Sequence, residues 1–385
     1  MSAVFTIPLN KPFLTGNEEK YISDAMHSLK LCGDGPYTKK CQELIETRFH
    51  AKKVLLTPSC THALELCSLL LDLKEGDEVI VPSFTFVSTV NAFMLRGAKP
   101  IFVDIKEDTK NINEGLVEEK ITKKTKAIYL VHYAGIACDM KSFLAISKKY
   151  NIPIIEDAAL GFDAKYKEKY LGTFGTFGCY SFHDTKNLTC GEGGALVIND
   201  ERFIEHAEIL REKGTNRKQF LQGSVDKYTW VGIGSSYLLS DIQAAFLLAQ
   251  LEAVDQITSI RKKIHETYYE SLKDLEKKGR ILLPKIPEDC CSNYHLFYLL
   301  LKDQRKRNSF IQFLKKQNIT SAFHYIPLHS SPIGFSLGYK EGDLPITEDV
   351  SQRLVRLPFY TSMTSEEQQK VITVIREFFN RGYDE

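Results

Sequence analysis

The chain has 385 residues, enough for a large core and more than one domain. Lys+Arg number 50 against Asp+Glu 49, a net charge of +1, and no basic cluster stands out, so the charge does not point to nucleic acid. No apolar run approaches the roughly 20 residues that span a bilayer, and the N-terminus lacks the pattern of a signal peptide. The nine cysteines are scattered, odd in number and without a C-x-x-C pair, which suits reduced thiols in a cytoplasm better than disulfides or a metal site.

The N-terminal segment up to Met26 shows no strong pattern, and we expect it to pack on a C-terminal domain or on a partner subunit. From about Val54 to Asp200, β-branched apolar runs alternate with helix-like segments. The runs at 78–82, 100–104, 126–132, 153–157, 179–183 and 195–199 are almost continuously apolar, as in strands buried on both faces. Helical segments are predicted at 61–73, 87–96 and 140–150. This alternation predicts an α/β fold with a mostly parallel sheet covered by helices on both sides. Ligands of such sheets sit at the carboxyl ends of the strands. After about Ile233 the pattern changes. A long helical region over 238–275 leads to a smaller α/β segment: strand 295–301, helix 307–317, strand 320–325, helix 347–355 and helix 365–380. The expected division is a large domain over 1–250 and a small one over 251–385.

Two segments suggest chemistry. Ile154-Ile155-Glu156-Asp157 ends an apolar run in an acid, and Ser181-Phe182-His183-Asp184-Thr185-Lys186 puts a hydroxyl five positions before a lysine. Separately these are ordinary: an acid at a strand end is commonly a cap, and a lone lysine is commonly solvated. Together they are what pyridoxal phosphate requires, a lysine to form an imine, an acid to keep the ring nitrogen protonated and a hydroxyl for the phosphate. Gly191, Gly193 and Gly194 let the backbone after Lys186 turn tightly. Glu156 should face away from Asp157 across the strand. The small polar residues from Thr57 to Thr61 open an apolar helix, either as caps or as an anion site. Phe84 and Phe86 follow a strand, suited to core packing or to stacking on a flat cofactor. His132, His183, His324 and His329 lack metal spacing. His324 and His329 are candidates for substrate contact, though loop or core positions are commoner for histidine.

These segments together resemble the DegT/DnrJ/EryC1/StrS family of sugar-nucleotide aminotransferases. The resemblance runs over nearly the whole chain, including Leu55-Leu-Thr-Pro-Ser-Cys-Thr61, Phe84-Thr-Phe-Val-Ser-Thr89, Val131-His-Tyr-Ala-Gly135, Val225-Asp-Lys-Tyr-Thr-Trp230, Gly234-Ser-Ser-Tyr-Leu238 and His324-Tyr-Ile-Pro-Leu-His329. It implies the aspartate aminotransferase type I fold and a homodimer with shared active sites. Lys186 is then the imine-forming lysine and proton shuttle, and Asp157 the partner of the pyridinium nitrogen. Thr61, the backbone N–H of His62 and Ser181 bind the phosphate, and Phe86 stacks on the ring. Ser236 approaches the phosphate from the partner chain, while Trp230, His324 and His329 meet substrate. The Ser-Ser-Tyr variant at 235–237 resembles the subgroup that transfers the amino group of L-glutamate to C4 of dTDP-4-keto-6-deoxy-D-glucose, giving dTDP-4-amino-4,6-dideoxy-D-galactose for surface glycans. The alternatives are amination at C3 of a dTDP-linked 3-keto sugar and a non-catalytic sensor on the same fold. One departure is Leu160, where many relatives carry a polar residue against the cofactor's phenolic oxygen.

Overall fold

A computed structural model describes residues 6–380; residues 1–5 and 381–385 lie outside it. Strands β1 (Lys53–Thr57), β2 (Glu78–Pro82), β3 (Lys99–Val103), β4 (Thr125–Val131) and β5 (Ile154–Asp157) precede a two-residue-arm hairpin, β6 (Lys165–Tyr166) and β7 (Lys169–Tyr170). Strands β8 (Phe177–Ser181) and β9 (Gly194–Ile198) complete a seven-stranded sheet of order β1-β9-β8-β5-β4-β2-β3. Strand β9 is antiparallel to both its neighbours, while β8, β5, β4, β2 and β3 pair in parallel. The sheet is thus mostly parallel, and the carboxyl ends of six strands share one edge.

The apolar continuity of these strands follows from helices on both faces. Alternate residues such as Leu55, Val79, Val81, Tyr129, Ile155 and Leu196 pack with helices Cys60–Leu70 and Val87–Met94. Their neighbours Val54, Leu56, Ile80, Ile128 and Ile154 pack with helices Pro36–Phe49, Met140–Tyr150 and Asp241–Glu252 on the other side. Each fully buried Val, Leu or Ile contributes roughly 1.5–3 kcal/mol. Helix Met140–Tyr150 has the expected bounds, opened by Asp139, whose side chain accepts from Ser142 N–H, and closed by Asn151 in the left-handed region. Strand β2 also keeps its expected bounds, and the other predicted strands and helices of this part shift by one to three residues.

The predicted 238–275 region is two helices, Asp241–Glu252 and Val254–Lys277, broken at Ala253. Beyond them, β10 (Cys290–Cys291) joins β6, and β11 (Tyr298–Leu300) pairs antiparallel with β12 (Leu354–Arg356). A separate core from Ile264 to Phe379 lies around β11, β12 and helices Gln304–Lys316 and Ser365–Asn380. Two expectations need correction. Residues 320–325 form no strand, only a bridge from Ala322 to Arg356. The expected helix 347–355 runs Pro345–Arg353 and then turns extended at Leu354, because burying Leu354 and Val355 against β11 outweighs one more helical turn. The N-terminal segment divides: Ile7 bridges Ile319 in the C-terminal core, while helix Glu18–His27 packs on helix Asp241–Glu252. All nine cysteines are free thiols. No helix among the described residues is long and apolar enough to cross a membrane.

Candidate active site

A cavity of about 340 Å³ opens at the carboxyl edge of the sheet, where β1, β2, β4, β5 and β8 each end in a turn. Its lining joins Thr61, Phe86, Asp157, Leu160, Ser181 and Lys186 to His295, His324, Tyr325 and Arg356 from the C-terminal part.

Asp157 is the last residue of β5 and is buried. Its Oδ2 accepts from Thr89 Oγ1 at 2.6 Å and its Oδ1 from Ala159 N–H at 3.1 Å. Burial pushes its pKa up, while Thr89, Ala159 and the charge of Lys186 oppose the rise. Glu156 faces the other way, bonded to His132 and to the N–H groups of Gly172, Phe174 and Gly175. Lys186 follows a turn in which its N–H donates to His183 C=O. Its side chain is walled by protein except where it meets the cavity, and no hydrogen bond or ion pair ties its amine among the described residues. Burial lowers its pKa; Cys60 and Asp157 work against that, and Arg356 works with it.

The turn after β1 leads directly into helix Cys60–Leu70. Ser59 caps it, accepting the N–H of His62 at 3.2 Å. The His62 N–H expected to meet phosphate is therefore already occupied, and His62 does not line the cavity. The N–H groups of Cys60 and Thr61, one and two positions into the helix, have no partner among the described residues. Thr61 Oγ1 donates to Ser88 Oγ at 2.8 Å. Phe86 is 59% exposed, its ring facing the cavity rather than the core.

Three expected residues lie elsewhere. His329 is fully buried, with Nδ1 at 2.7 Å from Ser83 Oγ and Nε2 at 2.8 Å from Glu348, so both ring nitrogens are engaged and it drops out as a substrate contact. Trp230 and Ser236 are exposed and do not line the cavity of this chain. Thr89, Ser88, His295, Tyr325 and Arg356 were not anticipated. Ser88 and Thr89 stand in the Phe84–Thr89 motif and Tyr325 in the His324–His329 motif, which is the signal they carried; His295 and Arg356 stand in neither.

Pyridoxal phosphate fits these residues. A buried acid lacks a bonded cation, a lysine amine lacks a partner, and a helix start offers unpaired N–H groups beside Thr61 and Ser181. Leu160 contributes only its carbonyl, to Asn293, while His295, Tyr325 and Arg356 add polar groups to the same cavity.

Residues 12–376 match the model of the DegT/DnrJ/EryC1/StrS aminotransferase family. The chain is 33% identical over 375 residues to the GDP-perosamine synthase of Escherichia coli O157:H7, covering 97% of this chain and 99% of that protein. It is similar to the pyridoxal phosphate form of the putative sugar aminotransferase Spr1654 from Streptococcus pneumoniae, with TM-score 0.90 at 28% identity over 98% and 99% of the two chains. Against S. venezuelae DesV in complex with a ketimine intermediate the TM-score is 0.89 at 27% identity, over 97% and 99%.

Proposed function

Because this chain belongs to the DegT/DnrJ/EryC1/StrS aminotransferase family and is a pyridoxal phosphate-dependent sugar aminotransferase, we propose that it moves the amino group of L-glutamate to C4 of dTDP-4-keto-6-deoxy-D-glucose. The products are 2-oxoglutarate and dTDP-4-amino-4,6-dideoxy-D-galactose. The observation that carries the reading is one cavity holding both the unpaired amine of Lys186 and the buried carboxylate of Asp157. Bound pyridoxal phosphate supplies an aldehyde that takes up the amino group and a ring that accepts electrons. Lys186 attaches it, and its Nζ then takes the proton from the donor's α-carbon and later delivers one to C4 of the sugar. Its lowered pKa favours the neutral amine this needs. Asp157 holds the ring nitrogen protonated, with Thr89 and Ala159 fixing the carboxylate. Phe86 covers one ring face. Thr61, Ser181 and the free N–H groups of the helix start hold the phosphate.

The choice of C4 rests on the Ser-Ser-Tyr variant at 235–237, and the choice of a nucleotide sugar is supported by a relative named for GDP-perosamine. We read residues 1–250 as the cofactor-binding domain and 251–385 as the small one, and a homodimer in which Trp230 and Ser236 serve the partner's cavity. The free thiols suit a reducing compartment, and we assign the reaction to the cytoplasm. Purified enzyme incubated with the 4-keto nucleotide sugar and L-glutamate should give the 4-amino galactose product by NMR, and glutamate should bleach a visible band that Lys186→Ala lacks. An amine at C3, or a band indifferent to both changes, refutes the scheme.

A further inference from the structure

Lys186 is placed by its backbone, since its amine has no protein partner among the described residues. On one side its own N–H donates to His183 C=O. On the other stands Asn187, a buried residue whose side chain reaches the C-terminal part. Asn187 Nδ2 donates to Asn293 C=O at 2.8 Å, and Asn187 Oδ1 lies 2.9 Å from His295 Nδ1. A carbonyl only accepts, so the amide nitrogen faces Asn293 and the amide oxygen faces His295, whose Nδ1 must then carry the proton. Burial, and after it the charges of Lys186, Arg261 and Arg356, push the His295 pKa well down, so the ring is neutral and Nε2 carries no proton. His295 lines the cavity, and no described residue bonds its Nε2.

The far end of this link is itself fixed. Arg261, buried in helix Val254–Lys277, donates to the carbonyls of Tyr294 at 3.0 Å and His295 at 2.5 Å, and to Thr361 Oγ1 at 3.3 Å. Among the described residues no carboxylate pairs with it. A buried cation bonded only to neutral acceptors is costly, and its effect here is to hold the backbone of His295 in place. Asn293 Nδ2 donates in turn to the carbonyls of Leu160 and Phe162, at 2.9 Å each. Residues 293–295 are thus tied both to the turn after β5 and to the long helix. We propose that His295 is a positioning residue for Lys186: its Nδ1–H holds Asn187, and through Asn187 the backbone that aims the amine into the cavity. This rests on the aminotransfer reading above and adds a residue that acts before any substrate arrives. If the ring merely satisfied a buried amide, its loss would lower stability and leave the reactivity of Lys186 alone.

The test adds pyridoxal phosphate to the apoprotein and follows growth of the visible band as Lys186 attaches, with no substrate present. A glutamine amide reaches the place of Nε2 and an asparagine amide that of Nδ1, so the two variants separate the two ends of the ring. His295→Gln loses the bond to Asn187. It should slow attachment ~10-fold or more and lower kcat by a like factor, with KM for L-glutamate and for the nucleotide sugar within about twofold of the parent. His295→Asn can still donate to Asn187 and should recover the attachment rate to within about threefold. Asn187→Ala should match His295→Gln, and the double variant should lose little more, since both break one link. A folded His295→Gln that attaches cofactor at the parent rate overturns the proposal, as does a loss seen only in KM or only in urea unfolding. So does the reverse order, glutamine intact and asparagine impaired, because it would move the role to Nε2. If His295→Gln does not fold, Asn187→Ala is judged by the same rate. A parent that forms the band but does not aminate C4 refutes the sugar chosen in the preceding section and leaves His295 to be judged by attachment; a parent without the band refutes both.

Discussion

Asp157 is caught between two effects, and its pH behaviour reports which one dominates. Burial favours the neutral acid, while Thr89, the Ala159 N–H and Lys186 favour the carboxylate; the net shift is upward. Without cofactor, the folded chain then binds this proton more tightly than the unfolded chain. The contribution is fully present below the ordinary aspartate pKa and is lost as pH rises through the raised value. The melting temperature of the apoprotein should therefore fall across the window just above the ordinary aspartate range, and Asp157→Asn should remove that slope. In the loaded enzyme the same change should cut turnover on the order of 100-fold, because the ring nitrogen loses its charged partner. An apoprotein slope unchanged by Asp157→Asn would remove the argument from burial. Asp157 and Lys186 were legible in the sequence because each breaks its surroundings, an acid closing an apolar run and a lysine set before glycines. Arg356, Tyr325 and His295 were not, since long-range folding carries them to the cavity and neither the predicted strands 295–301 and 320–325 nor the His324–His329 motif marks which of their residues face it. His329 misled for the converse reason: its motif is intact, but its ring is consumed by Ser83 and Glu348.

The element that makes the site is the turn from β1 into helix Cys60–Leu70, held against the start of β9. A Cβ on Gly194 would lie 2.3 Å from the carbonyl carbon of Ser59 and 2.4 Å from Cys60 N. Both are backbone atoms, so the helix start itself must move. Gly194→Ala should cost about 1–3 kcal/mol in urea unfolding, and it should weaken retention of pyridoxal phosphate on dialysis because the N–H groups of Cys60 and Thr61 shift with the turn. Ser59→Ala separates the two effects: losing the cap should cost about 1 kcal/mol, yet it frees the His62 N–H and should spare the cofactor. Equal cofactor loss in both variants would count against this account of the turn. Strands and helices around the large sheet were readable because period and composition agree there. The C-terminal part was less so. The β-branched and aromatic residues of 320–325 suggest a strand, but His324 and Tyr325 face the cavity and the backbone keeps only one bridge. Leu354 and Val355 extend a helical pattern by sequence, and only pairing with β11 makes them a strand.

At the scale of the whole molecule, the surface carries an apolar strip that a single chain does not explain. Leu221, Trp230 and Ile233 are more than seven-tenths exposed, and Phe220, Tyr228 and Val231 accompany them within one segment. The segment is not loose: Trp230 bridges Thr215, Ser236 bridges Glu212, and the Asn216 side chain binds the backbone of Lys227 and Thr229. Large apolar side chains exposed together on an ordered frame favour an interface. If a second copy covers it, the residues after it, Ser236 included, are carried toward the neighbouring molecule. That would reconcile their distance from this chain's own cavity with the cofactor role expected for Ser236. The protein should then sediment as a dimer, and Ile233→Asp, which puts a charge in the strip without touching the cavity lining, should shift it toward monomer. If the partner completes the cavity, activity should fall with the dimer fraction and recover as protein concentration rises. A variant that sediments as a monomer at every concentration and keeps full turnover would show that each chain works alone, and would return Trp230 and Ser236 to an interface role without chemistry.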